Sequence, residues 1–244
     1  MLWHETGPVI ETHGRFKVVR EDLLEGGSKT RFLPALIDDS AEELVFGGPF
    51  CGGAPVALSV VGREMGRRVT IFYAKRGELH ERQKTVLRNG GTIYQVPFGY
   101  MTNVQAKARA YAKSVGAQML PLGFDLPEAE KPFVAVMRQV REIVGDPEQI
   151  WCASGSGMLA RCLAKAFPDS SICAVAVGLA SRWGRQTMPD NVEILEHRLR
   201  FEQQCKADAP FPCCRNYDRK AWEMAQKLAK GRNLLFWNVL GSAD

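Results

Sequence analysis

Three short stretches carry residue types that could do chemistry. The first is Arg20-Glu21-Asp22-Leu23-Leu24-Glu25-Gly26-Gly27-Ser28-Lys29-Thr30-Arg31, which places an amine after two glycines and a serine. Glycines let the backbone pass close to a ligand, and an amine held there can form an imine with a bound aldehyde. The ordinary reading is a solvated loop lysine. The second stretch, Ser154-Gly155-Ser156-Gly157, offers backbone N–H groups and a positive helix end to an anion such as phosphate. It lacks the lysine of a Walker loop, and Ala160 interrupts a GxGxxG pattern, so a dinucleotide is a poor fit. The third, Tyr217-Asp218-Arg219-Lys220, puts a phenol and a carboxylate where a long helix opens. An Asp at that place is most simply a helix cap.

The elements that must position these groups alternate between strand and helix. Strands are predicted at 44–46, 69–73, 92–96, 118–120, 149–153, 172–177, 192–195 and 234–237. Helices are predicted from Pro55 to Met65, over 78–89, over 102–115 with Thr102 as cap and Gly116 beyond the end, and over 128–144, 158–167 and 218–230. Such alternation means an α/β fold on largely parallel sheets with flanking helices. Parallel sheets hold ligands at the carboxyl ends of their strands, where the turn at 154–157 falls, as does Gly47-Gly48-Pro49-Phe50-Cys51-Gly52-Gly53-Ala54. Residues 182–216 are the least periodic.

Composition narrows the class. The chain has 244 residues, 45% hydrophobic and 24% charged, which suits a globular protein with a sizeable core. A net charge of +5 permits anionic ligands or nucleic acid without requiring them. No apolar stretch approaches a membrane span, and the N-terminus lacks the pattern of a signal peptide, so a cytoplasmic location is expected. Seven cysteines, an odd number, suggest reduced thiols. Cys205, Cys213, Cys214 and His197 lack zinc-ligand spacing, and no metal is expected.

Taken in order, the segment at 20–31, the Gly47-Gly48 loop, the turn at 154–157 and Tyr217-Asp218-Arg219-Lys220 resemble fold type II pyridoxal-phosphate (PLP) enzymes, the tryptophan synthase β group. The likeness is greatest to the aminocyclopropane-carboxylate deaminase and D-cysteine desulfhydrase branch, and it runs from about residue 15 to 238. It implies that Lys29 joins the aldehyde of pyridoxal 5'-phosphate and that Ser154, Gly155, Ser156 and Gly157 cradle its phosphate. It implies that Asp218 faces the pyridine nitrogen and that Tyr217 lies near the reacting carbon as a second acid. A smaller subdomain of about 44–115 would be inserted in a larger one formed by 1–43 and 116–244, and a homodimer is expected.

The chain departs from the resemblance where the substrate is gripped. Relatives carry a Ser-Asn-Gln type loop; here Cys51, Gly52 and Gly53 stand in the substrate-binding positions. Met158 and Leu159 follow the phosphate glycines, Asn238-Val239-Leu240-Gly241 replaces a His-Thr-Gly-Gly type segment, and the chain is shortened around 182–216. A pared-down pocket suits an amino acid tethered to something large, and the chain looks like compact phage enzymes that trim aminoacyl-modified thymine in DNA, within the host cytoplasm. The expected activity is that of a lyase at Cα, with decarboxylation ahead of elimination. Deamination or desulfhydration of a free amino acid is the alternative, and a silent binding module the third. Lys75, Arg76, Arg82, Lys84, Arg88, Arg182 and Arg185 are candidate phosphate contacts, or ordinary solvated charges.

Overall fold

A computed structural model describes residues 6–97, 99–177 and 188–243. The chain divides into two compact units, one built from the stretch up to Leu24 with Glu130–Ser242, the other from Glu25–Ala129. The inserted unit is therefore wider than the 44–115 span expected from the sequence. One cause is local: a β-carbon on Gly26 would come within 2.7 Å of the Ala57 Cα, so the segment bearing Lys29 packs against the helix of the inserted unit.

The larger unit is organised on strands β1 (Ile10–His13), β2 (Phe16–Arg20), β7 (Gln149–Ser154), β8 (Ser171–Ala176), β9 (Val192–Glu196) and β10 (Leu234–Asn238). They pair in the order β1-β2-β10-β7-β8-β9. Only β1 runs antiparallel; it closes on β2 as a hairpin that the strand pattern did not predict. β7 and β10 are apolar on both faces because parallel strands are covered on both sides. Around this sheet lie α5 (Met158–Ala166) and α6 (Asp218–Leu228). One face of the core is aromatic: Phe16, Phe211, Trp222 and Phe236 meet with centroids 4.9–5.9 Å apart. Each contributes about 1.5–3 kcal/mol by leaving water.

The inserted unit holds β3 (Glu43–Gly47), β4 (Arg68–Ala74), β5 (Thr92–Val96) and β6 (Gln118–Met119), all parallel, in the order β5-β4-β3-β6. Its helices are α1 (Ala54–Glu64), α2 (Glu81–Arg88) and α3 (Met101–Val115). Gly116 ends α3 in the left-handed region at φ 68°, and its N–H returns to Ala112, as a glycine C-cap should. Thr102 does not cap α3. Tyr100 stands at that position without a side-chain bond, so the cap signal fell inside the helix. α4 (Pro127–Val144) spans the boundary between the units, and no described helix is long and apolar enough to cross a membrane. The α/β class with parallel sheets and flanking helices is as expected.

Candidate active site

In the larger unit, the turn Ser154-Gly155-Ser156-Gly157 leaves β7 at its carboxyl end and opens α5. Gly157 sits at φ 89°, and a β-carbon there would lie 2.4 Å from Met188 Cε and 3.0 Å from Arg161 Nη1. Only glycine fits. Gly155 is different: its β-carbon would meet nothing nearer than the Tyr217 hydroxyl at 3.4 Å. The Met158 N–H points back to Ser156 Oγ at 3.4 Å. Ser154 is 1% exposed, and its Oγ has no hydrogen-bond partner. A buried hydroxyl without a partner costs about 1–3 kcal/mol. At a helix start where N–H groups converge, that hydroxyl suits an oxyanion.

Tyr217 reaches the same turn. It precedes the first residue of α6, and the Gly155 N–H hydrogen-bonds its hydroxyl. Burial first, then the neighbouring Asp218 and Cys152, push the phenol's pKa up, so it stays protonated and able to donate. Asp218 is fully buried in the first turn of α6. It is no side-chain cap: its Oδ1 accepts the Val239 N–H at 3.1 Å, just past the end of β10. The Asn238 amide, also fully buried, donates to the Pro212 carbonyl at 2.8 Å while its Oδ1 has no partner. Sequence reading noted Asn238 only as a substitution. A single polar residue closing the apolar run Leu234-Leu235-Phe236-Trp237 was the signal available.

In the inserted unit, Lys29 lies on a short 3-10 segment, Gly27–Arg31, and is half-buried while its neighbours Ser28 and Thr30 are buried. Gly27 takes φ 68°, and Thr30 Oγ1 donates to its carbonyl at 2.8 Å, which sets the turn. The loop between β3 and α1 holds Cys51, Gly52 and Gly53. A β-carbon on Gly48 would run into the Phe46 ring at 2.3 Å, Gln105 donates to the Gly47 carbonyl, and the Gly52 N–H returns to Pro49 at 3.1 Å. The loop is thus shaped by backbone, with a buried thiol at Cys51 as its one functional side chain among positions 51–53.

Other sequence candidates fall elsewhere. On α2 Arg82 is buried and Lys84 and Arg88 both pair with Glu81, while Lys75 and Arg76, ahead of that helix, are exposed, with Arg76 over the Phe50 ring. Arg182 and Arg185 lie outside the described residues. All seven cysteines are buried. Burial raises the Cys205 thiol and pushes Cys213 up to about 12, which makes both poor nucleophiles. His197, Cys205 and Glu223 gather with their ligand-type atoms within 4.8 Å. Yet His197 Nδ1 accepts the Leu199 N–H at 3.1 Å, which leaves the neutral ring's proton on Nε2, facing Glu223 at 3.0 Å. A metal at Nε2 would force that proton onto Nδ1 against another donor, opposite to the usual arrangement. The cluster ties the irregular 197–205 segment to α6, as does buried Lys220 through the Arg200 carbonyl at 2.7 Å.

No protein-family model and no curated protein matches the sequence. Solved structures do match. An ACC deaminase homologue superposes with a TM-score of 0.78 at 16% identity, over 93% of this chain and 84% of that one. O-ureido-L-serine synthase gives 0.73 at 14% identity, over 97% and 89%. Threonine deaminase isoform 2 from Solanum lycopersicum gives 0.70 at 13% identity, over 94% and 75%. The fold is fold type II of the pyridoxal-phosphate enzymes. In the residues of this fold type II chain, the donor set of the 154–157 turn fits a phosphate, and the carboxylate of Asp218 fits a protonated ring nitrogen.

Proposed function

We propose that this protein is a PLP-dependent lyase acting at Cα of an amino-acid-type group. The observation that carries the reading is the buried, unpartnered Ser154 hydroxyl at a glycine turn beside Tyr217 and the wholly buried Asp218. Bound pyridoxal phosphate supplies a ring that accepts electrons from Cα. The chain's own residues do the rest. Ser154 to Gly157 would hold the phosphate, and the Asp218 carboxylate would keep a proton on the ring nitrogen. The Lys29 amine would hold the aldehyde and is the chain's candidate base for the proton at Cα. Tyr217, protonated, donates a second proton. Cys51, Gly52 and Gly53 border the substrate.

Two bond-breaking outcomes are open to this set. Elimination is supported by similar structures that include deaminases and E. coli diaminopropionate ammonia lyase. Decarboxylation, including that of an amino acid carried on thymine in phage DNA, is the reading that the small side chains at 51–53 suggest. A homodimer is the assembly the resemblance implies.

The test is direct. Purified protein incubated with PLP should absorb at the violet edge of the visible range, and borohydride should fix the cofactor to Lys29. Lys29→Ala should lose the adduct, whereas an unchanged adduct removes Lys29 from the role. Products from free amino acids, aminoacyl nucleotides and modified DNA then separate the outcomes: carbon dioxide for decarboxylation, ammonia or sulfide for elimination. Cofactor bound with no turnover on any of them would favour a silent binding module.

A further inference from the structure

Positions 51–53 carry no charged, hydroxyl or amide side chain that could grip a substrate carboxylate, and the inserted unit offers a cation. β3 and β4 are adjacent and parallel, with Gly47 level with Phe72, so the loop after β3 and the segment after β4 leave the same edge of the sheet. Arg76 stands on that second segment. Its guanidinium carbon lies 3.7 Å from the centroid of the Phe50 ring, the residue immediately before Cys51. Phe50 in turn meets His80 edge-on, with centroids 5.5 Å apart. His80 is fixed from below, because its Nδ1 accepts the Arg82 N–H at 3.2 Å as the cap of α2. The Arg76 backbone is fixed as well: its N–H donates to Gln95 Oε1 at 3.0 Å. The three side chains form a contiguous cluster anchored at both ends.

Arg76 is exposed, and among the described residues no carboxylate pairs with it. Its planar cation lies against an aromatic face that leaves its N–H donors directed outward around the rim. An arginine placed that way binds oxyanions in a fixed orientation.

We propose that Arg76, docked on Phe50, is a specificity-determining residue that reads the carboxylate of the amino-acid substrate beside loop 51–53. This deepens the PLP reading given above and depends on it. The Arg76–Phe50 pair supplies the oxyanion contact that positions 51–53 do not, and Phe50 acts as a positioning residue through Arg76. A carboxylate gripped by a cation is also harder to release as neutral carbon dioxide, so the same contact favours elimination over decarboxylation.

The experiment compares an amino acid with its own carboxamide, L-serine against L-serinamide. Binding to the PLP-loaded protein is followed by the shift of the visible absorbance band. Wild type should bind the acid more tightly than the amide. In Arg76→Ala the acid should weaken by roughly tenfold or more while the amide is unchanged, as expected for a lost charge-assisted contact. Arg76→Lys keeps the charge but not the planar stack and should recover part of the preference. Phe50→Leu keeps the charge yet should lose part of it, with the thermal unfolding temperature checking that the loop is intact. Equal acid-to-amide preference in wild type and Arg76→Ala overturns the assignment to Arg76 and leaves the PLP reading standing. Absence of any cofactor band in wild type overturns both.

Discussion

Asp218 Oδ1 accepts the Val239 N–H at 3.1 Å, and this bond joins the first turn of α6 to the chain just past β10. A carboxylate that is fully buried thereby has a structural anchor on one oxygen, and the proposed function gives its charge a second duty. The two duties are separable by substitution. Asp218→Asn keeps the acceptor and removes the charge; we expect near wild-type thermal stability, retained PLP and turnover lost by a hundredfold or more, on the order of the effect of removing an acid–base group. Asp218→Ala also strands the Val239 N–H and should lose about 1–3 kcal/mol in urea unfolding. Equal turnover of Asp218→Asn and wild type would leave the carboxylate with only its structural duty.

Ser154 makes a prediction whose sign is informative. Its hydroxyl is buried without a partner, so Ser154→Ala relieves a cost in the cofactor-free protein. We expect stability unchanged or higher by about 1 kcal/mol, and PLP affinity lower by roughly tenfold. Calorimetric unfolding of the cofactor-free variant, set beside a PLP titration, reads both. Lower apo stability with unchanged affinity would place the hydroxyl outside the phosphate site.

The two glycines of the turn should not behave alike. Gly157→Ala meets a left-handed backbone, costing about 1–2 kcal/mol, and a collision with Met188 as well. Gly155→Ala finds ordinary contact with Tyr217 at 3.4 Å and should stay within about 0.5 kcal/mol of wild type. Unfolding midpoints in urea for the pair provide the check; similar losses at both positions would contradict the geometry.

Acid stability should report on Glu223. Its carboxyl is held down to about 2 from an ordinary 4.5, first by Lys227 and then by His197. A carboxylate whose folded pKa lies below its unfolded one stabilises the protein fully above the unfolded value. That contribution fades as pH falls from about 4.5 toward 2. We expect the unfolding temperature of wild type to drop across this window more steeply than that of Glu223→Gln. Parallel profiles would show that the knot with His197 and Cys205 adds nothing measurable.

By itself the sequence determined the order of strands and helices from β3 onward, the loops that carry Lys29, Cys51–Gly53 and Ser154–Gly157, and the glycine that ends α3. Those features are written in near neighbours: period, β-branched runs and turn residues act within a few positions. The tertiary structure alone decided that β10 lies between β2 and β7, that a hairpin edges the larger sheet, and that the Lys29 segment belongs to the inserted unit. It alone brought the Tyr217 hydroxyl to Gly155, Asp218 to Val239 and Arg76 onto Phe50. Each of these joins residues 20 or more positions apart through contacts of a few ångströms. Their partners are chosen by packing and by the need to satisfy buried polar groups, and neither leaves a periodic trace along the chain.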